Sequence, residues 1–353
     1  MAISNSFFSC PYYNLAALES NLSPFRKEPL SEEEAFQKMI KNGNKALIEH
    51  HDKEPFSVYP SLKALSFLDP TNPSLEKRLN ITYGIAEAWG SRKKMEDVSF
   101  ITSFGDLVIA GVLDGHGGDH LAKFASKKFQ EIFPCIMGAT KGHVHQALEV
   151  TTAKIQKAIL EDSTMHRMGS TAVFSVIDPV KRLVITGTLG DSEANIYRKK
   201  DEKTISIPLS NLRDWTSKKD EERARLHCHP LQLRTILPGQ SKIRNWNFIP
   251  ENSKDRRLKS FDCRSTTNVS RAFGKYHYGQ ANSHKLKITV SSIQEDDVII
   301  VTSDGLKEYP EADIAHTVSL TTNAPGRTSR ALVNLAISRE HCDNTSVIAI
   351  YIS

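Results

Sequence analysis

Apolar residues gather into runs of strand length at 107–113, 170–177, 182–189, 298–302 and 345–352. Runs this short, rich in Val and Ile and bounded by turn-forming residues, predict strands with both faces covered. The stretch "DPVKR" joins the second run to the third, and its Asp178-Pro179 start favours a turn, so 170–189 reads as a hairpin. Elsewhere the period lengthens to that of a helix. Leu121, Phe124, Ala125, Phe129 and Ile132 fall on one face of 120–133, Leu148, Ile155 and Ile159 on one face of 143–162, and a third helix is expected at 328–339. Hairpins with long helices between them, and no regular strand–helix alternation, predict an α+β layered domain.

Residues 1–80 have a different texture, rich in Pro, Ser and Asn. Their one convincing element is a helix over 31–50, opened by Ser31 and three glutamates as a capping box and lined by Phe36, Met39, Ile40 and Leu47. This part is expected to be an extension packed on the main domain or on a partner, with the main domain spanning 81–353.

Charge and cysteine content narrow the function classes. The net charge of +5 is spread among acids with no basic stripe, which argues against a nucleic-acid partner. The mixed run "SKKDEERAR" (217–225) has the look of a solvated helix face. Five cysteines without a Cys-x-x-Cys pair suit reduced, intracellular thiols, and the adjacent residues of "HCH" (227–229) fail the usual zinc spacing. No apolar run approaches the roughly 18 residues of a membrane span, and the N-terminus lacks the pattern of a signal peptide. The expectation is a soluble, cytoplasmic monomer.

The chemistry lies where strands stop. "VIAGVLDG" ends in Asp114, "LVITGTLGDS" in Asp191 and "VIIVTSDG" in Asp304, while Asp343-Asn344 precedes the last run and Glu96-Asp97 follows "GSRKKM". Carboxylates gathered at the rim of a buried sheet repel one another unless cations sit among them. Oxygen ligands without paired Cys or His point to Mg²⁺ or Mn²⁺. Gly115, Gly117 and Gly118 let the chain turn tightly, so that a main-chain carbonyl can also face an ion. His116 is placed to donate a proton, and Arg92 offers a fork for phosphate. Metals, an acid and an arginine together describe phosphoester hydrolysis by metal-activated water.

These residues stand in motifs that resemble, in order, those of the metal-dependent protein serine/threonine phosphatases, the protein phosphatase 2C-like family. They are "GSRKKMED" (90–97) with Gly84 before it, "VLDGHGG" (112–118), "GSTA" (169–172), "GDS" (190–192), "SRAFG" (270–274), "SDGL" (303–306) and Asp343-Asn344. The resemblance covers about 81–353. It implies a central antiparallel β-sandwich flanked by helices on both faces, with a two-metal centre of Mn²⁺ or Mg²⁺ at one end and phosphorylated proteins as substrates. By the same resemblance Asp114 bridges the ions, the Gly115 carbonyl ligates one, and Asp304 and Asp343 hold the other. Glu96 acts through water, Arg92 grips the phosphate, His116 protonates the leaving Ser or Thr oxygen, and Asp191 belongs to a weaker third metal site.

Three departures stand out. Lys275 follows "SRAFG" where the family usually has Asp, Lys307-Glu308 follows "SDGL" where Trp-Asp is common, and the usual Asp-His is not evident in "LSNLRDWTS" (209–217). These bear on substrate recognition and third-metal affinity. The alternative is a weak or inactive phosphoprotein-binding scaffold on the same fold, which would be expected to lack one of Asp114, Asp304 or Asp343.

Overall fold

The structure, a computed structural model, describes residues 78–210, 222, 269–274 and 283–353 except 308, 322 and 340, together with the backbone of five short strands elsewhere. The helix expected at 31–50, the mixed-charge run at 217–225 (of which only residue 222 is described), the "HCH" triplet, Lys275 and Glu308 lie outside the described residues.

Seventeen strands are described: β1 (Val58–Tyr59), β2 (Ile81–Ala88), β3 (Asp97–Phe104), β4 (Leu107–His116), β5 (Gly169–Ser170), β6 (Ala172–Asp178), β7 (Leu183–Leu189), β8 (Glu193–Lys200), β9 (Lys203–Pro208), β10 (Leu233–Ile236), β11 (Ile243–Asn245), β12 (Arg256–Lys259), β13 (Thr266–Thr267), β14 (Phe273–Gly274), β15 (Lys287–Ser292), β16 (Val298–Thr302) and β17 (Thr345–Ile352). One antiparallel sheet runs β1-β2-β17-β16-β8-β9, and another runs β14-β5-β4-β6-β7-β15 with β3 added on β4. A small separate sheet holds β10 to β13. The α-helices whose bounds are described are α1 (His120–Ala139), α2 (Val144–Glu161), α3 (Glu311–Leu320) and α4 (Pro325–Ile337).

Three apolar clusters show how these elements stack. Ile109 and Leu113 of β4 meet Leu121, Phe129 and Leu148 of α1 and α2 in the first, where the Phe129 and Phe174 rings stack at 4.1 Å. Val108, Ala110 and Val112 of the same strand point the other way, into a second cluster with Ile299 and Val301 of β16 and Ile348 and Ile350 of β17. Val298, Ile300, Val347 and Ala349 then face Ile314, Val318, Leu332 and Val333 of α3 and α4. Successive residues of a strand alternate in direction, so a strand covered on both faces must be apolar throughout. That is why these runs lack alternation. The result is a four-layer helix–sheet–sheet–helix sandwich, as the sequence led one to expect.

The 170–189 hairpin forms as β6 and β7, and the Asp178 carboxylate closes its turn by accepting from the N–H groups of Val180 and Lys181. Runs 298–302 and 345–352 coincide with β16 and β17. The helix expected at 328–339 instead begins at Pro325, whose fixed φ and missing N–H suit a first helical turn. Strand β4 extends three residues past the apolar run, so Asp114, Gly115 and His116 are still in pairing register. Among the described residues no helix is long and apolar enough to cross a membrane.

Candidate functional site

Both sheets deliver acidic residues to the same end of the sandwich. In the register of β3 and β4, Asp97 lies directly opposite Asp114. The neighbouring Gly115 N–H donates to the Glu96 carbonyl at 3.1 Å. A Cβ on Gly115 would lie 2.6 Å from that same carbonyl oxygen, a separation real Cβ atoms do not adopt, so the close approach of β3 and β4 requires glycine. Thr171 ties this end to the next turn. Its hydroxyl accepts from the Asp114 N–H at 3.2 Å and pairs with the Ser192 hydroxyl at 2.6 Å, while its own N–H donates to the Asp114 carbonyl.

Asp304 begins a short 3₁₀ turn at the end of β16. Burial, followed by the charges of Asp114, Asp191, Asp343 and Asp97, pushes its carboxyl well above the usual carboxylate range. Asp97 is raised in the same direction by burial and then by Asp114, with the Ser303 hydroxyl acting against them. Both effects are those expected of acids crowded together away from water. The structure therefore brings Asp97, Asp114, Asp191 and Asp343 within electrostatic reach of Asp304. Oδ2 of Asp97 and Oδ1 of Asp191 are buried without a hydrogen-bond partner.

Basic side chains stand at the edges of this cluster. Arg92 donates through Nη2 to Asp343 Oδ2 at 2.5 Å, with its side chain 60% exposed at the rim. Lys307 Nζ is 3.6 Å from Asp191 Oδ2. His116 Nδ1 lies 3.5 Å from Asp114 Oδ1. Glu96 joins the site through its main chain: its carbonyl accepts from Gly115, and its N–H donates to the Asn344 side-chain carbonyl at 2.8 Å.

Asn344 in turn donates from Nδ2 to the carbonyls of Trp89 and Lys94, at 2.9 Å each. One side chain thus fixes both ends of the 89–96 loop that carries Arg92. Sequence reasoning quoted Asn344 within a motif and gave it no role. It also passed over Asp97 as a site residue, although Asp97 is only 6% exposed and faces Asp114.

Residues 81–345 match the family described as Protein phosphatase 2C. The chain belongs to the protein phosphatase 2C family. Among curated relatives, the Arabidopsis thaliana protein "Probable protein phosphatase 2C 24" is 24% identical over 314 residues, covering 76% of this chain and 78% of that protein. "Probable protein phosphatase 2C 71" of the same plant is 26% identical over 285 residues, and the alignment takes in 78% of this chain and 56% of that protein. A solved serine-threonine phosphatase 2C from Toxoplasma gondii superposes with a TM-score of 0.61 at 17% identity, covering 85% of this chain and 99% of that one. A C. elegans sex determining protein gives the same TM-score and identity over 77% of this chain and 64% of that one. At these identities the solved structures establish the shared protein phosphatase 2C fold.

The crowded acids of this 2C-family chain give it a definite pH dependence. Asp97, Asp304 and the half-buried Glu193 all have folded-state pKa values above those of the unfolded chain. The folded state then holds more protons, and the stability associated with these groups is full below about pH 4 and is lost as pH rises through their folded pKa values. His284, whose pKa is lowered by burial, acts in the opposite sense with a single proton. In the presence of a chelator, the unfolding midpoint is expected to fall as pH rises above about 5. Thermal scans across that range check this, and a midpoint that rises steadily would contradict it.

Proposed function

We propose that this chain is a Mn²⁺- or Mg²⁺-dependent phosphatase acting on phosphoserine or phosphothreonine in proteins. The observation that carries the reading is the convergence of strand-end carboxylates around Asp304, with a buried Asp97 oxygen opposite Asp114 lacking a hydrogen-bond partner. A donor set of carboxylates and a main-chain carbonyl suits a hard divalent ion. Among the described residues no three acidic, His or Cys side chains lie close enough to grip an ion without adjustment. Carboxylates that repel one another would be drawn in by the ion itself.

Asp114 and the Gly115 carbonyl, with Asp304 and Asp343, would hold two ions, and Glu96 would support them through water. Bound ions would let the carboxylates stay ionised and would acidify water for attack on phosphorus. The protein's own groups do the rest. Arg92, at the exposed rim, binds the phosphate oxygens, exchanging its present contact with Asp343 for the substrate or sharing it between the two. Asp114 lies beside the Nδ1 edge of the His116 ring, and His116 gives a proton to the departing Ser or Thr oxygen. Thr171, Ser192 and Asn344 keep these groups in register.

The direct test is hydrolysis of a phosphothreonine peptide with Mn²⁺, Mg²⁺ or chelator. Turnover that requires the divalent ion supports the reading, and none with either ion would overturn it. For Arg92→Ala, KM for the peptide is expected to rise about tenfold, the cost of one charge-assisted hydrogen bond discounted for exposure. Metal affinity should not fall, because the Asp343 carboxylate is released. An unchanged KM would remove Arg92 from phosphate binding.

A further inference from the structure

Asp191 sits in the turn between β7 and β8 with 4% of its surface exposed, and its Oδ1 has no hydrogen-bond partner. A buried carboxylate so placed is costly unless a cation lies beside it. Here the cation is built into the chain. Lys307 Nζ stands 3.6 Å from Asp191 Oδ2, and the Lys307 N–H donates to the Asp304 carbonyl at 2.9 Å. In a 3₁₀ turn, side chains three positions apart lie over one another. The same turn that presents Asp304 therefore carries the ammonium across to Asp191.

The charge of Lys307 is also felt by Glu193 at the start of β8, on which Glu311 and Asp191 act as well. One ammonium thus stands beside Asp191 of the β7–β8 turn and within electrostatic reach of Glu193 of β8. It brings a positive charge and three donors but no lone pair, so it can neutralise this pocket and cannot ligate an ion. A divalent ion arriving at Asp191 would meet that charge at close range.

We propose that Lys307 is a tethered cation that takes the place of a metal ion beside Asp191, so that this chain completes its centre with two ions and an ammonium and excludes a third ion there. The inference rests on the two-ion reading above. It makes the basic residue after "SDGL" a determinant of metal stoichiometry.

The test counts Mn²⁺ bound to the full chain, from the electron paramagnetic resonance signal of the free ion, for the wild type, Lys307→Met, Lys307→Arg and the double variant Lys307→Met/Asp191→Asn. Wild type and Lys307→Arg are expected to saturate with two ions. Lys307→Met should take up one more, bound about tenfold or more tightly than any further ion on the wild type, and the double variant should lose it. If wild type and Lys307→Met both bind two ions, or both bind a third alike, the role of Lys307 is overturned while the two-ion reading stands. A wild type that binds no Mn²⁺ overturns both.

Discussion

Asp304→Asn is expected to lower phosphopeptide turnover by on the order of 10³-fold while making the metal-free protein more stable. The two effects have one cause. Asp304 lies among Asp114, Asp191, Asp343 and Asp97, and their charges together with burial press its carboxyl toward the protonated form. An amide of nearly the same shape carries no charge, so the variant is relieved of repulsion worth on the order of 1–2 kcal/mol. For a domain of this size that corresponds to a midpoint about 2–4 °C higher per kcal/mol. With Mn²⁺ present the order should reverse, because an ion that binds only the folded state stabilises the wild type and has lost a ligand in the variant. Unfolding scans of both proteins in chelator and in Mn²⁺ read out the crossing. A variant less stable than wild type in chelator would show that Asp304 is a structural anchor and that the cluster is not strained by charge.

The same charge argument explains which parts of the site could be read from the sequence. Asp114, Asp191 and Asp304 were legible because each interrupts or follows an apolar run, and a buried strand gives no reason for a carboxylate there. Asp97 was not, since Glu96-Asp97 is an adjacent pair and only the pairing register of β3 on β4 decides which of the two lies opposite Asp114. Helix α3 was missed because "EADIAHTVSL" mixes β-branched and polar residues and shows a weak apolar face, and its burial against β16 and β17 is set by tertiary packing. The layered fold was legible for the opposite reason. Uninterrupted runs such as 298–302 and 345–352 make sense only when both faces of a strand are covered. The Lys307–Asp191 pair joins residues over a hundred positions apart, and no local pattern announces it. In the sequence Lys307 registers only as a departure from a motif.

Gly115→Ala is expected to damage stability and turnover together, in contrast to Asp304→Asn. The added methyl has nowhere to go: its carbon would stand 2.6 Å from the Glu96 carbonyl oxygen, 3.2 Å from that of Gly118 and 3.3 Å from the Ala122 Cβ. The nearest of these is backbone, so the strands must part where Asp97 faces Asp114, and the hydrogen bond from Gly115 to Glu96 lengthens or breaks. Overpacking of this kind costs about 1–3 kcal/mol. The functional loss should be larger, because displacing catalytic groups by about an ångström can cost on the order of 10²-fold in rate. Most of it should fall on kcat, since Asp97 and Asp114 stand at the point of separation, while Arg92, though its loop ends at Glu96, stays tied to Asp343 and its loop is also held at Trp89 and Lys94 by Asn344. Gly138→Ala is the matched control: nothing lies within 4 Å of a Cβ there, and alanine inside helix α1 should gain about 0.5–1 kcal/mol. Comparing kcat, KM and the unfolding midpoint of the two variants separates the effect of a methyl group from the effect of its position. Wild-type kcat in Gly115→Ala would mean that the ends of β3 and β4 can separate without moving Asp114, and that the tight pairing serves stability alone.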